Sequence, residues 1–341
     1  MRFCGGWGLK ICWIGVPYFS SALKDLGVEL LPLPARFPKF WTWEEIVQAL
    51  GTAPDLLVLG DLSLPPFLPG IESFPCLTAF YCVDSHIHSW HPLYAQAFDL
   101  CLVSLRDHIP WFLGQGSDPA RVLWSPPYSP DQDGPGPGPK EFDLLFNGTV
   151  DPVTTPGRKA FLDILASRLP GLVVRKGPYR DYFHRAKLVL NIAEAADLNF
   201  RVFEALGCGA CLLTPAVGHG QDELFTDGQD LFLYQPGDVE GLCAHVARLL
   251  ADPALREQVG AAGLDRVQAG HKARHRAIRF LEWVGGFTAR GLVAARCASA
   301  SAIHQTVLRP LYLHWSEALA DNPAAARAYL TAAGPRRRPS A

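Results

Sequence analysis

The first hundred residues alternate short, nearly uninterrupted apolar runs with segments of helical spacing. The apolar runs have the length of strands and cover residues 9–15, 28–33, 55–60, 76–83 and 98–104. Strands of a parallel sheet show such continuous hydrophobicity when helices cover both faces. Between the runs, residues 19–26 and 43–50 have helical spacing, and Gly27 and Gly51 stand where glycine often ends a helix. The pattern predicts a doubly wound α/β domain.

A proline- and glycine-rich segment interrupts this alternation near the middle of the chain. Its core, Gly134-Pro-Gly-Pro-Gly-Pro139, cannot sustain a helix or a strand ladder, and we predict a linker over 129–140. A second alternating series follows, with a helix predicted at 179–186. Two such series predict two Rossmann-like domains, 1–128 and 141–285. Ligands bind beyond the carboxyl ends of such strands, so we expect the active site in the cleft between the domains.

The last part of the chain has helical spacing almost throughout. We predict a helical extension over 286–331, which could pack back on the N-terminal domain, and a disordered basic tail over 332–341. The rhythm of residues 311–329 faintly resembles that of helical-repeat modules. Docking of a protein partner through these C-terminal helices is therefore kept as a hypothesis.

Composition narrows the class of protein. A chain of 341 residues is long for one hydrophobic core, which favours two domains. The formal net charge is −2 and the basic residues are scattered, which argues against nucleic-acid binding. No stretch reaches the roughly 18 to 20 apolar residues of a membrane helix, so we expect no stable membrane insertion. The nine cysteines lie mostly in apolar runs, as reduced thiols do, which favours a cytoplasmic location.

A polar loop leads directly into a helix between Glu194 and Gly209. Backbone N–H groups at a helix start, with the positive end of the helix dipole, favour a phosphate or diphosphate. Arg201 can contact phosphate oxygens in a bidentate manner. Glu204 lies three residues further on, and it can accept hydrogen bonds from both hydroxyls of a ribose. The alternative interpretation is an ordinary Arg–Glu pair on a surface helix.

Three motifs occur in order along this half of the chain. They are Asn-x-Arg-x-Phe-Glu-Ala-x-x-x-Gly at 199–209, Leu-Phe-x-x-Gly at 224–228 and Gly-x-x-Arg-Val-x-x-x-His at 263–271. In this respect the chain resembles the carboxyl-terminal lobe of GT-B glycosyltransferases, closest to the bacterial group of the spore-maturation protein CgeB. The resemblance spans roughly 143–281 and, more weakly, 84–127. It implies the α/β GT-B fold, with two Rossmann-like domains facing a cleft. The domain over 1–128 would then bind the acceptor, and the domain over 141–285 would bind the nucleotide sugar.

The resemblance also implies a donor site. Glu204 would hold the ribose of a nucleotide sugar, and Asn199 and Arg201 would face its diphosphate. Gly148 and Thr149, after the first strand of the lobe, would approach the phosphates.

A further cation and one departure complete the implied site. Arg158 could stabilise the charge that develops on the leaving diphosphate, as a metal-independent transferase requires. Many retaining relatives carry a second Glu eight residues before the ribose-binding one, but Ala196 stands there. Asp197 or Glu194 could substitute for it, so both retention and inversion remain open.

A second polar constellation follows the predicted strand 76–83. It comprises Asp84, His86, His88 and His91. Side chains at a strand's carboxyl end face the ligand cleft, so Asp84 or His86 is our candidate for the general base that activates an acceptor hydroxyl. The same residue types could instead bind zinc or iron, or form a locally hydrogen-bonded loop.

We therefore expect a glycosyltransferase that uses a UDP-, GDP- or dTDP-sugar without a metal or other cofactor. The acceptor would be a protein, a surface glycan or a small molecule. Two alternatives remain: a metal-dependent hydrolase built on Asp84, His86 and His88, and a non-catalytic GT-B scaffold that acts through its helical tail.

Overall fold

In a computed structural model of the chain, the structure describes residues 8–114 and 118–335. The described residues form two compact units. The first comprises those within Met1–Ser104, His108–Ser125 and Ala277–Ala341, and the second comprises Leu105–Asp107 and Pro126–Arg276. Most of the predicted basic tail, from residue 336 onward, lies outside the described residues.

Each unit contains one parallel sheet. The sheet of the first unit has six strands in the order β2-β1-β3-β4-β5-β6, and that of the second has five in the order β11-β10-β9-β7-β8. The strands are β1 (Lys10–Gly15), β2 (Glu29–Leu33), β3 (Leu56–Gly60), β4 (Leu77–Cys82), β5 (Leu100–Val103), β6 (Val122–Trp124), β7 (Phe142–Asn147), β8 (Leu172–Arg175), β9 (Ala186–Leu190), β10 (Leu212–Pro215) and β11 (Phe232–Tyr234).

Helices connect and cover the strands. They are α1 (Ser20–Asp25), α2 (Trp43–Leu50), α3 (His91–Ala95), α4 (Ile109–Phe112), α5 (Pro156–Arg168), α6 (Phe200–Gly207), α7 (Gln221–Leu224), α8 (Val239–Ala251), α9 (Pro253–Gly270), α10 (Ala273–Gly285), α11 (Ala289–Ala298), α12 (Ala300–Ile303), α13 (Arg309–Ala318) and α14 (Pro323–Ala333). Short 3₁₀ turns occupy Ile71–Ser73, Arg106–His108, Pro119–Arg121, Tyr179–Asp181 and Phe183–Arg185, and a π-helical turn joins α12 to α13 at His304–Leu308. None of the described helices is both long and apolar enough to cross a bilayer.

The continuous hydrophobicity of the strands reflects burial on both faces. Every residue of β3 and β4 is buried, and so are β5 and β10 throughout. Apolar side chains from helices and loops cover these sheets, among them Trp41 in the first unit and Leu165 in the second. Burial of one large apolar side chain contributes about 1.5–3 kcal/mol. The predicted α/β architecture with two parallel sheets and a helical C-terminal region is confirmed.

The C-terminal helices belong to the first unit, and Arg296 on α11 anchors them there. Its Nε donates to Asp99 Oδ1 over 2.9 Å, and its Nη2 donates to the carbonyls of Phe74 (2.8 Å) and Cys76 (2.7 Å). Its Nη1 donates to the carbonyl of Ile71. All these groups are buried, so the charge pair is stabilised by complete hydrogen bonding as well as by attraction.

Two segments differ in detail from their predicted form. The helix predicted over 179–186 is instead two successive 3₁₀ turns, Tyr179–Asp181 and Phe183–Arg185, and Ala186 already begins β9. The proline- and glycine-rich segment 129–140 belongs to the second unit, and Ser129 and Asp133 within it are buried.

Candidate functional site

Helix α6 presents one apolar and one charged face. Val202, Phe203, Ala205 and Leu206 are buried, whereas Arg201 and Glu204 are only half-buried. The helix starts after Asn199, whose extended backbone (φ −97°, ψ 168°) makes it the N-cap residue. Residues three apart share a helix face, so burial of the apolar stripe places the two charged side chains together.

These two side chains line an open pocket of about 410 Å³ in the second unit. The other lining residues follow the carboxyl ends of β7 and β8, where ligands bind in open parallel sheets. The complete lining is Asn147, Gly148, Thr149, Lys176, Gly177, Tyr179, Arg201 and Glu204. The structure thus brings Gly148, Thr149, Arg201 and Glu204 of the predicted donor site into one pocket.

Arg201 is held at the wall of this pocket. Its Nη1 donates to Asn191 Oδ1 over 3.2 Å, and its guanidinium carbon lies 5.3 Å from the centre of the Phe146 ring. Burial lowers the pKa of Arg201, but an arginine remains charged at physiological pH. A Cβ atom at Gly148 would approach Arg201 Nη2 to 2.9 Å, so the glycine leaves the space that the guanidinium occupies.

Burial dominates the electrostatics of Glu204. It raises the pKa of this carboxyl to about 7, with a further upward contribution from the charge of Asp133. Arg201 and Arg180 oppose that rise. The free pocket therefore holds a carboxyl that ionises near neutral pH, and the ionised form is a strong acceptor for ligand hydroxyls.

Arg158 and Asn199 lie near this pocket without belonging to its lining. Arg158 Nη1 donates to the carbonyl of Thr149 over 2.9 Å, and Nη2 lies 3.5 Å from Glu194 Oε2. Glu194 Oε1 also accepts the backbone N–H of Arg158 over 3.0 Å. The carboxylate of Glu194 is therefore engaged with Arg158. The Oδ1 atom of Asn199 is buried and has no hydrogen-bond partner among the residues that the structure describes.

The loop between β9 and α6 carries the departure noted in the sequence. Ala196 stands eight residues before Glu204 and has a φ of +56°. A positive φ is uncommon for a residue with a Cβ atom. The backbone at this position is therefore locally strained.

Four lining residues were missed by the sequence interpretation. They are Asn147, Lys176, Gly177 and Tyr179. Asn147 Nδ2 donates to the carbonyl of Gly177 over 3.1 Å, and this bond joins the ends of β7 and β8. The rule that ligands bind beyond the carboxyl ends of parallel strands could have identified these residues, because they directly follow or end those strands.

The second predicted constellation lies in the first unit, at the end of β4. Asp84 accepts a hydrogen bond from the hydroxyl of Ser63, and its N–H donates to Asp61 Oδ2 over 2.9 Å. In the described part of the chain, His86 Nδ1 and His88 Nε2 are buried without a hydrogen-bond partner.

The residues that converge with metal-ligand geometry are not the predicted ones. Within residues 8–114 and 118–335, the convergent set is Asp61, Cys82 and His91, whose donor atoms all lie within 4.8 Å of one another. Of the predicted constellation, only His91 belongs to this set. Its Nδ1 lies 3.2 Å from Cys82 Sγ, and burial lowers the pKa of His91 to about 3, so the ring is neutral.

Asp61 has a structural role in this cluster. Its carboxylate accepts the backbone N–H groups of Ser63 (2.9 Å), Val83 (3.1 Å) and Asp84 (2.9 Å). These bonds tie the loop after β3 to the loop after β4. The amides of Val83 and Asp84 use both lone pairs of Oδ2. These hydrogen bonds account for the burial of the carboxylate without a bound metal ion.

Comparison with known proteins agrees with this fold. Residues 168–282, which include α6, match the model of a family described as glycosyl transferase-like. A search of curated proteins finds no match.

Several solved structures share the fold. HepE of Anabaena, determined with UDP and glucose, is 11% identical with a TM-score of 0.58, and the alignment covers 82% of this chain and 100% of that chain. Sucrose-phosphate synthase of Thermosynechococcus elongatus is 12% identical with a TM-score of 0.56 (84% and 100% covered). A glycosyltransferase of Rickettsia africae is 10% identical with a TM-score of 0.57 (80% and 97% covered). These similarities establish the GT-B type of α/β fold.

Proposed function

We propose that this chain is a glycosyltransferase that moves a sugar from a nucleoside diphosphate donor, bound by the second unit, to an acceptor. The observation that carries the proposal is the shared pocket of Arg201 and Glu204, which joins a cation and a hydroxyl acceptor on one helix face. The glycosyl transferase-like family match covers the same helix.

The pocket offers complementary groups for each part of a nucleotide sugar. Arg201 and the start of α6 supply positive charge for the diphosphate. Glu204 supplies a carboxylate for the two ribose hydroxyls. HepE, which shares the fold, was determined with UDP and glucose, and this supports a UDP-sugar as the first donor to test.

The charge that develops on the leaving diphosphate is the main electrostatic demand of the reaction. Arg201 is fixed by Asn191 and Phe146, and Arg158 is fixed by Thr149 and Glu194, so neither cation needs large reorganisation as the bond breaks. We propose that these arginines take the place of a divalent metal ion. Asn199, the N-cap residue of α6, would face the diphosphate together with Arg201.

We further propose Asp84 or His86 as the base that deprotonates the acceptor hydroxyl in an inverting reaction. Asp84 is held by Ser63 and by its own N–H bond to Asp61, which fixes its backbone at the end of β4. The acceptor would be a protein, a surface glycan or a small molecule. Membership of the CgeB-like group and a cytoplasmic location are parts of the same proposal, and the latter is supported by eight free thiols among the described residues.

The two alternative functions have less structural support. Asp84, His86 and His88 do not converge as metal ligands in the described structure, which weakens the hydrolase. A docking role for the C-terminal helices must use their outward residues, such as the exposed Leu313 and Leu330, because Leu311, Tyr312 and Tyr329 belong to the core of the first unit.

Nucleotide binding tests the donor site. Thermal shift and calorimetry with UDP, GDP, ADP and dTDP should identify one nucleotide that stabilises the protein. Glu204→Ala should weaken binding of that nucleotide by about 10- to 100-fold, because the substitution removes the acceptors for two ribose hydroxyls. Glu257→Ala, an exposed glutamate of the same unit, is the matched control and should bind as the wild type does. Absence of binding by every nucleotide, or equal binding by Glu204→Ala, would overturn the proposal.

A further inference from the structure

We propose that Asp133, in the proline- and glycine-rich segment, is a positioning residue for the donor pocket: it holds Tyr179 in place at the pocket wall. This inference rests on the proposed function, because it concerns how well the same pocket binds a nucleotide. It assigns a role to a segment whose composition predicts only a linker.

The Asp133 carboxylate is completely buried and is used by three donors. Tyr179 donates its hydroxyl over 2.9 Å and Ser129 donates its hydroxyl over 2.8 Å, both to Oδ2. Arg180 donates from Nε to Oδ1. The Asp133 side chain has 0% exposure, whereas that of Arg180 has 41%. A buried carboxylate with only donors around it fixes the direction of each of those donors.

Tyr179 depends on this anchor because its own segment is short. It starts a three-residue 3₁₀ turn, and its ring packs against Phe183 with the centroids 5.3 Å apart. The ring lines the same pocket as Glu204, and it is the aromatic side chain of that lining. Loss of the hydroxyl bond would leave the ring contact but release the constraint on its angle.

The segment that carries Asp133 is itself fixed. Lys272 Nζ donates to the carbonyl of Asp133 over 2.7 Å, to that of Pro130 over 3.3 Å and to Ser129 Oγ over 3.2 Å. The backbone of Ser129 is held as well, because its N–H donates to the carbonyl of His271 over 2.9 Å. Asp133 is therefore attached to a rigid part of the second unit.

The same segment packs on the helix that carries the donor-binding side chains. A Cβ atom at Gly207, in the last turn of α6, would lie 2.0 Å from Ser129 Oγ and 3.5 Å from the Cβ of Asp133. Glycine at this position allows the close approach. Asp133 thus links Tyr179 to α6, the helix that carries Arg201 and Glu204.

Two conservative variants test this role. Asp133→Asn keeps the size of the side chain but replaces one carboxylate oxygen by an NH2 group, so the side chain can no longer accept all three hydrogen bonds. Tyr179→Phe removes only the hydroxyl. At pH 8, where Glu204 is ionised with or without the charge of Asp133, each should weaken binding of UDP-glucose, or of the nucleotide sugar that the wild type binds best. The loss should be up to about tenfold, because the released Tyr179 ring must be ordered again when the ligand binds. The KM for the donor should rise with kcat nearly unchanged.

The double variant separates positioning from general destabilisation. If Asp133 acts through Tyr179, the double variant should bind about as weakly as either single variant, whereas independent effects would multiply. Asp163→Asn, which removes one partner of an exposed pair with Lys159 on α5, is the control and should bind normally.

The outcomes are distinct from those of the proposed function. Failure of the wild type to bind any nucleotide would remove the proposed function. A wild type that binds, together with Tyr179→Phe that binds equally well, would overturn the positioning role alone. Tyr179→Phe keeps the other bonds of Asp133, so it remains informative if Asp133→Asn fails to fold.

Discussion

Gly148 and Arg201 lie side by side in the lining of the proposed donor pocket, and a single added carbon atom at the glycine would lie 2.9 Å from Nη2 of the arginine. The glycine directly follows β7, and the arginine lies in the first turn of α6. The position of Arg201, the cation proposed to bind the diphosphate, therefore depends on the absence of a side chain on a different element.

Gly148→Ala should displace Arg201 and weaken binding of UDP by about tenfold, while binding of uridine, which lacks phosphates, should hardly change. Isothermal titration of both ligands checks this expectation. Gly134→Ala is the matched control, because a Cβ there meets nothing within 4 Å. An equal loss of affinity for uridine and for UDP would show that the substitution damages the whole pocket rather than the phosphate contact.

Glu204 should make nucleotide-sugar binding depend on pH. Its pKa is about 7 in the folded protein, and ribose hydroxyls donate best to the ionised form. The affinity for UDP-glucose, whose phosphates do not titrate near neutrality, should therefore rise between pH 6 and pH 8, by at most about tenfold per pH unit below the pKa. Glu204→Gln should bind weakly and with little pH dependence over this range.

The same carboxyl should affect folding with the opposite sign. Its pKa is raised from 4.5 to about 7, so the folded protein holds a proton that the unfolded chain has released. The free energy of unfolding should therefore fall as the pH rises from about 4.5 through 7. Urea titrations of the wild type and of Glu204→Gln check this, since the difference in stability between the two proteins should change across that interval. A constant difference would contradict the raised pKa.

The proposed base predicts a loss of turnover without a loss of donor binding. Asp84→Asn or His86→Gln should lower kcat by about 10²- to 10⁴-fold and leave the affinity for the nucleotide unchanged. His88→Gln serves as the control and should retain activity. If His88→Gln is equally inactive and the purified protein contains stoichiometric zinc, these results would favour the metal-dependent hydrolase over the proposed base.

Arg296 should be a major source of stability for the first unit. Arg296→Met leaves the buried carboxylate of Asp99 without its charged partner, which costs about 3–5 kcal/mol. Urea denaturation should show a clearly lower midpoint. Arg290→Met, an exposed arginine on the same helix, is the control and should unfold as the wild type does.

Local patterns were sufficient for much of the fold and for part of the site. Continuous apolar runs predicted the parallel strands, and the spacing of Arg201 and Glu204 placed both on one helix face, because these features depend on residues close in sequence. Contacts between distant residues were not predictable in this way. Tyr179 lies 46 residues from Asp133, and the bond between them exists only in the folded chain.

The metal hypothesis shows the same limit. His91 was identified with its sequence neighbours His86 and His88, but the structure places it beside Asp61 and Cys82. Asp61 follows a different strand, and parallel pairing of β3 with β4 brings it there. The raised pKa of Glu204 likewise depends on burial and on the charge of Asp133. Neither can be read from the sequence of the helix that carries Glu204.

Release of nucleoside diphosphate from a panel of UDP-, GDP- and dTDP-sugars tests the central claim most directly. Many transferases hydrolyse their donor slowly when water replaces the acceptor, so the assay needs no knowledge of the acceptor. We predict release from one donor class by the wild type, in buffer with EDTA, and its loss in Arg201→Ala. Release that requires an added divalent metal ion, or that persists in Arg201→Ala, would contradict the proposed donor site, and absence of release from every donor would contradict the proposed activity.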